Sequence, residues 1–556
     1  MSRAQGFSLP GQMRLLRTVS HLKFRQIFFQ LLRRLEPKRR VSVPVGISPR
    51  PGLSLTPPLP RDCGGEPWAF TFIGVRKSFD PARFDWASLE QDKLWRYNLH
   101  YFDYLHEPER SNGPELIESW IASNPQGRMD AWEPFPVSLR LVNWIKFFLS
   151  SAAPSPVPAS WLDSLALQAR WLSKNIEYHL LANHYFKNAK ALVFAGGFFD
   201  GVDARRWLNL GLRIVSEELA EQVLVDGGHF ERSPMYHCMI LEDCLDLLNL
   251  CRGSGLPELT ELARELERVI PAMLCFAGGL THPDGGIALF NDAALGIEPD
   301  FAQLRDYHER LGGDPIAQPM ARVLPFPASG YFRLEPMPGD MLVVDCGPIG
   351  PDYQPGHAHC DILSFELSLN GRRVIVDSGC SQYVDGEIRQ YNRGSLGHNT
   401  LSIDGVNQSE VWGAHRVARR ARPLFAEARD DGDTLIFEGA HDGYKRLPGK
   451  PIHKRRIVWS GGRIEIRDQV EGQGEHMLEL RLHVHPDWTV ESSQSGLVIL
   501  KLGKERLCVV STLGDLELER GWYCPRFGQP LPCAVLCVRQ RAVLPWTGGF
   551  VMTKES

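Results

Sequence analysis

From about residue 90 to 315, apolar residues recur at helical spacing, three or four positions apart. SLRLVNWIKFFLSS, SWLDSLALQARWLSKNIEYHLL, NAKALVFAGGFF, ARRWLNLGLRIVSEELAEQVL, CMILEDCLDLLNLC and LTELARELERVIPAMLCFAGGL all carry this pattern, parted by short Gly, Pro and Asp turns. Many helix pairs without βαβ alternation predict an α/α architecture. Past a Pro-rich break near 315–328 the grammar changes. MLVVDCG, LSFELSLNGRRVIVDSG, NTLSIDG, TLIFEGA, RRIVWSGGRIEIRDQVEG, MLELRLHVH and LVILKLGKERLCVVSTLG are short β-rich runs joined by Gly, Asn and Asp turns. Their spacing predicts a large antiparallel β-sandwich. The chain divides into an N-terminal segment (1–89), a helical domain (90–318) and a β domain (325–550).

Within the first segment, Met13–Leu35 (MRLLRTVSHLKFRQIFFQLLRRL) is basic and amphipathic. It reads as a helix packed on the domain, or as one lying on an anionic membrane surface. No apolar run reaches the roughly 18 residues of a membrane span, and no secretory signal is recognisable. The expected location is cytoplasmic or cell-envelope-associated. Residues 43–65 (VPVGISPRPGLSLTPPLPRDCGG) read as a linker or extended wrap.

At 556 residues the chain suits two large domains. Lys+Arg total 62 and Asp+Glu 66, so the formal charge is −4. That balance does not point to nucleic acid, and it leaves room for a local basic cleft that takes a polyanion. The 12 cysteines are scattered with no CxxC pair, which argues against a thiolate zinc site.

Three segments concentrate reactive side chains. LANHYFKN places Asn183 and His184 where a helix begins, with Asn suited to the N-cap. DGGHFERSPMYH holds His229, Glu231, Arg232, Tyr236 and His237 on a polar loop between helices. PGHAHCD holds His357 and His359, whose spacing points both rings to one face of an extended chain. They share one site, or one supports the other. Asp377 in VDSG and His398 in GHNT complete, with His359, a two-His, one-carboxylate set of the kind that binds zinc. Arg389, Arg393 and Arg416 read either as anion-binding groups or as a solvated basic face. Trp95, Tyr97, Tyr101, Trp132 and Trp144 read as core more often than as sugar platforms.

NHYFKNAKAL, DGGHFERSPMYH, PGHAHCDILSFEL, VDSG, GHNTLSIDG and NQSEVW, with the upstream LWRYNLHYFDYL and WEPFPVSLRLVNW, resemble the heparinase II/III-type polysaccharide lyases, in order, from about 90 to 430. The resemblance implies an incomplete (α/α) toroid followed by an antiparallel β-sandwich, with an acidic polysaccharide bound between them. It implies that Asn183 and His184 face a uronate carboxylate, that Tyr236 and His357 are catalytic, and that His359, Asp377 and His398 hold one divalent metal ion, zinc, in a structural role, with no organic cofactor. His229, Arg232, His237, Arg389, Arg393 and Arg416 are then expected to bind substrate or supply positive field. β-Elimination needs such a set: donors that neutralise the carboxylate, a base for the C5 proton and an acid for the departing O4. A uronate epimerase and a non-catalytic glycan-binding protein are the rival readings on the same fold.

Overall fold

The computed structural model describes residues 9–35, 40–316 and 321–555. Part of the Pro-rich break, 317–320, lies outside the described residues.

Two amphipathic helices open the chain, α1 (Leu9–Val19) and α2 (Phe24–Leu35). The helical domain follows: α3 (Lys93–Tyr101), α4 (Gly113–Ser123), α5 (Pro134–Phe148), α6 (Ala159–Lys174), α7 (Ala182–Phe198), α8 (Val202–Gln222), α9 (Pro234–Ser254), α10 (Thr260–Gly279) and α11 (Phe301–Arg310). Helices α5, α8 and α9 pack around α7, which is buried nearly throughout. Glycine permits the closest of these contacts. A Cβ at Gly196 would stand 2.6 Å from Leu208 Cβ, and one at Gly211 only 2.8 Å from the Ala189 carbonyl oxygen.

The segment before α3 is a wrap with structure of its own. Its alternating aromatics form a hairpin, Ala69–Phe72 with Val75–Ser78. Phe70, Phe72 and Trp86, together with Leu53 and Leu59, are buried in the helical core.

Among the described residues the β domain contains three larger antiparallel sheets and a two-stranded ribbon, Val411–Trp412 with Arg416–Val417. Five consecutive strands from Val323–Phe326 to Arg372–Ile375 form the first. An eight-stranded and a four-stranded sheet are the other two, and Ile452–Ser460 shows the alternate burial of a strand with one solvated face. Inward side chains of all three sheets share one core, from Phe332 and Leu367 to Trp459 and Met552.

Residues 280–295 stitch the two halves together. His282 bonds Ser368 Oγ (2.8 Å) and Glu366 Oε2 (2.9 Å). The Asn291 N–H donates to Asp361 Oδ2 at 2.9 Å.

Candidate active site

A cavity of about 1120 Å³ lies between the helical and β domains. Asn183, His184, Tyr236 and His357 all line it, although three different stretches of chain supply them.

Asn183 and His184 occupy the first turn of α7, whose N-cap is Leu181. Asn183 is therefore inside the helix and does not cap it. The turn is entered through two left-handed residues, Leu181 (φ 62°) and Ala182 (φ 52°). Such backbone is unfavourable for side chains with a Cβ and persists only where the surroundings impose it. The Asn183 amide donates to both Glu231 oxygens at 3.1 Å. His184 meets Glu177 Oε2 through Nδ1 at 3.2 Å and packs on Phe135, which leaves its other nitrogen unused by these contacts.

Tyr236 sits in the first turn of α9, set by Pro234 and by the Ser233 side chain, which accepts from the Tyr236 N–H. Its ring lies on the His357 ring with centroids 3.9 Å apart. Its hydroxyl is 3.0 Å from that of Tyr383. Burial drives the Tyr236 pKa well above the usual phenol value, with nearby Asp292 and Glu231 adding to the shift and Tyr383 opposing it. The phenol is neutral at physiological pH.

His357 is oriented by Asp292. Its Nδ1 meets Asp292 Oδ2 at 3.0 Å, and its Nε2 stands 3.7 Å from Glu231 Oε2. With the proton on Nδ1, Nε2 carries the free lone pair. Asp292 is fully buried and also takes His359 Nε2 (2.8 Å) and a two-pronged contact from Arg389, one prong at 2.9 Å. Burial alone would raise its pKa, but Arg389 and the two histidines hold it well below the usual carboxylate range, so it is an anion.

Behind this layer lies a second polar cluster. His359, Asp361 and His398 each offer a ligand atom within 4.8 Å of the others. His359 Nδ1 and His398 Nε2 are buried without a hydrogen-bond partner, the state expected of two nitrogens awaiting a common cation. The carboxylate of this group is Asp361, where the sequence reading had Asp377. Asp377 Oδ2 instead holds His398 Nδ1 at 2.8 Å and accepts from Ser364 Oγ at 3.2 Å. It fixes the His398 ring from behind.

Most of the expected substrate-binding groups point elsewhere. His229 bonds Gln222 (2.9 Å) and His237 the Met273 carbonyl (2.9 Å), both inside the protein. Burial lowers the pKa of each, to about 4 for His237, so neither supplies positive field to Tyr236. Arg232 is spent on the carbonyls of Phe230, Ala328 and Ser329. Arg389 is held by Asp292 and Ala414, and Arg393 by the carbonyls of Ala358, Gly413 and Arg416. Arg416 alone of the six lines the cavity, with its guanidinium 4.6 Å from the Trp412 ring centre. Of the aromatics, Trp95, Trp132 and Trp144 are core, whereas Tyr97 and Tyr101 face the cavity.

Comparison with known proteins gives this geometry a context. The model for the heparinase II/III N-terminus matches residues 115–309, and that for the heparinase II/III-like C-terminal region matches 319–549. The chain belongs to the heparinase II/III family. It is 26% identical over 417 residues to a heparin-sulfate lyase of Bacteroides thetaiotaomicron, covering 66% of this chain and 57% of that one. The heparin-sulfate lyase of Bacteroides stercoris is 26% identical over 470 residues, 75% of this chain and 67% of the relative. The FtsZ-localized protein C of Caulobacter vibrioides is 26% identical over 501 residues, 83% and 82% respectively. The chain thus spans a little over half the length of the first of these, 57%. A heparinase III crystal structure superposes with a TM-score of 0.66 at 19% identity, covering 85% of this chain and 79% of that one. The toroid-plus-sandwich fold is shared.

Proposed function

We propose that this protein is a polysaccharide lyase that cleaves a uronic-acid-containing polysaccharide by β-elimination. The observation that carries the reading is the Tyr236–His357 pair, with ring centroids 3.9 Å apart on the wall of a cavity that Asn183 and His184 also line. In this reading His357 Nε2 removes the C5 proton while Asp292 stabilises the imidazolium that forms. Tyr236, protonated because burial raises its pKa, gives its proton to the departing O4. His184, with Asn183, sits on the substrate carboxylate and offsets its charge as the enolate-like state develops. Arg416, lining the cavity, supplies positive charge to an acidic chain.

The donor set of His359, Asp361 and His398 fits one divalent ion, with imidazole and carboxylate favouring zinc. Bound there, the ion would add charge that fixes His359 and the short segment carrying His357. None of the proton transfers above passes through it.

Three relatives bear the name heparin-sulfate lyase, which supports an acidic glycan as the substrate class. The relative matched over 82% of its own length is named for a location, FtsZ-localized protein C. The test is a screen of purified protein against heparan sulfate, alginate and other uronate polymers, read by the ultraviolet absorbance of the 4,5-unsaturated product. Solvent deuterium uptake at C5 without chain cleavage would favour an epimerase instead.

A further inference from the structure

The N-terminal helices contribute nothing to the cleft's chemistry, and their surface is unlike the rest of the chain. One face of α2 is seated on the protein. Gln26 is buried and donates to the Tyr353 carbonyl at 3.2 Å, and Phe29 stacks on Tyr178 with centroids 4.7 Å apart. Arg25 bonds the Tyr185 hydroxyl at 2.8 Å, Lys23 pairs with Glu221 at 2.5 Å, and in α1 Arg17 pairs with Glu410 at 3.4 Å. The pair of helices is thereby fixed to both domains.

The opposite face of α2 carries Phe24, Phe28, Leu31 and Leu35 at spacings of four, three and four, a single stripe along the helix. Their exposures are 80%, 49%, 55% and 82%. Met13 and Leu16 of α1 are exposed as well, at 45% and 63%. Large apolar side chains grouped in this way mark an interaction surface. From Leu9 to Leu35 the segment holds six basic residues (Arg14, Arg17, Lys23, Arg25, Arg33, Arg34) and no Asp or Glu, in a chain whose formal charge is −4. Arg14 and Arg34 are exposed as well, while Arg33 lies on the seated face and contacts His179.

We propose that this face docks on an anionic lipid bilayer, with the stripe entering the headgroup boundary and the flanking arginines meeting lipid phosphates. An apolar stripe with basic flanks is the arrangement that binds such an interface. A two-fold dimer through this face would set the all-basic segment against its own copy, which favours the bilayer over a second copy of the chain. Because Gln26 grips Tyr353, next to the cavity-lining Gln354, docking would hold the cleft near the membrane surface.

The experiment is sedimentation of the full chain with vesicles of phosphatidylcholine alone and of equimolar phosphatidylcholine and phosphatidylglycerol. The expected result is capture by the anionic vesicles only, weakened by salt. A triple variant, Phe24→Ser, Phe28→Ser and Leu31→Ser, should lower the partition coefficient about tenfold or more, and Arg14→Gln with Arg34→Gln should lower it as well. These side chains are exposed, so an unchanged melting curve will show that each variant is folded. The proposal is overturned if the wild type ignores anionic vesicles, binds neutral ones equally, or is captured as well after the triple substitution. It is also overturned if the face instead closes a dimer, seen as a concentration-dependent mass that the triple substitution abolishes.

Discussion

Asp292→Asn is a sharp perturbation of the site because one carboxylate serves four nitrogen donors. Oδ1 takes His359 Nε2 and one Arg389 prong, and Oδ2 takes His357 Nδ1 and the other. An amide of the same shape presents one oxygen and one NH2, so two of those donors must face another donor. It also removes the charge opposite a guanidinium that is fully buried. Breaking a buried ion pair from one side costs about 3–5 kcal/mol, because the remaining charge is left uncompensated. Arg389 keeps its bonds to the Ala414 carbonyl, at 3.0 and 2.9 Å, which places the expected loss at the lower end, about 3 kcal/mol. Equilibrium unfolding in urea, followed by circular dichroism, measures it. Asp292→Asn combined with Arg389→Met should be less destabilised than the sum of the two single variants, since the second change removes the stranded charge. Turnover of the single variant should fall by about 10²-fold or more, because His357 loses the partner that fixes its tautomer. A single variant within about 0.5 kcal/mol of wild type, or strict additivity in the double, would refute the account of Asp292.

Arg416→Ala should raise KM by roughly tenfold, the effect of one lost charge-assisted contact of about 1.4 kcal/mol, with kcat nearly unchanged in steady-state kinetics. Glu298 lines the cavity, and burial holds its pKa up to about 8 from 4.5. The folded chain therefore keeps a proton that the unfolded chain releases, and stability from this group declines as pH rises from about 4.5 to 8. Glu298→Gln should remove that part of the decline, checked by unfolding free energies at several pH values. Protein prepared without chelator should carry one equivalent of divalent metal by elemental analysis. His398→Ala should abolish it, while Asp377→Asn should weaken it by about 10–100-fold, as befits a residue that orients a ligand.

Much of the architecture is legible in the chain because local periodicity governs it. NAKALVFAGGFF becomes α7, and RRIVWSGG a strand whose alternate residues are buried, as their spacing predicts. Local pattern also fails in instructive places. The Pro-rich residues 43–65 leave a linker and an extended wrap equally open, and only the burial of Leu53 and Leu59 in the helical core decides for the wrap. Asn183, His184, Tyr236 and His357 are readable as a set through family-like motifs. The groups that position them are not. Asp292 lies in LFNDAAL, which carries no motif, and its partners are 65 to 97 residues away. Tyr383 stands in a loop with nothing to mark its reach to Tyr236, 147 residues earlier. The same long-range closure explains the misplaced basic groups. Arg389 and Arg393 have the look of a solvated face, yet tertiary folding buries both against a carboxylate and backbone carbonyls. Asp361 and Asp377 both lie on segments entering the β domain, and only tertiary folding sets Asp361 between His359 and His398 and Asp377 on His398 Nδ1.

The central claim is tested most directly by Tyr236→Phe, which keeps the ring on His357 and removes only the transferable proton. With a uronate polymer that the wild type degrades, the ultraviolet absorbance of unsaturated product should accumulate about 10²–10⁴-fold more slowly, with KM close to that of the wild type. A variant that forms product at the wild-type rate, or a wild-type protein that forms none from any uronate polymer tested, would contradict it.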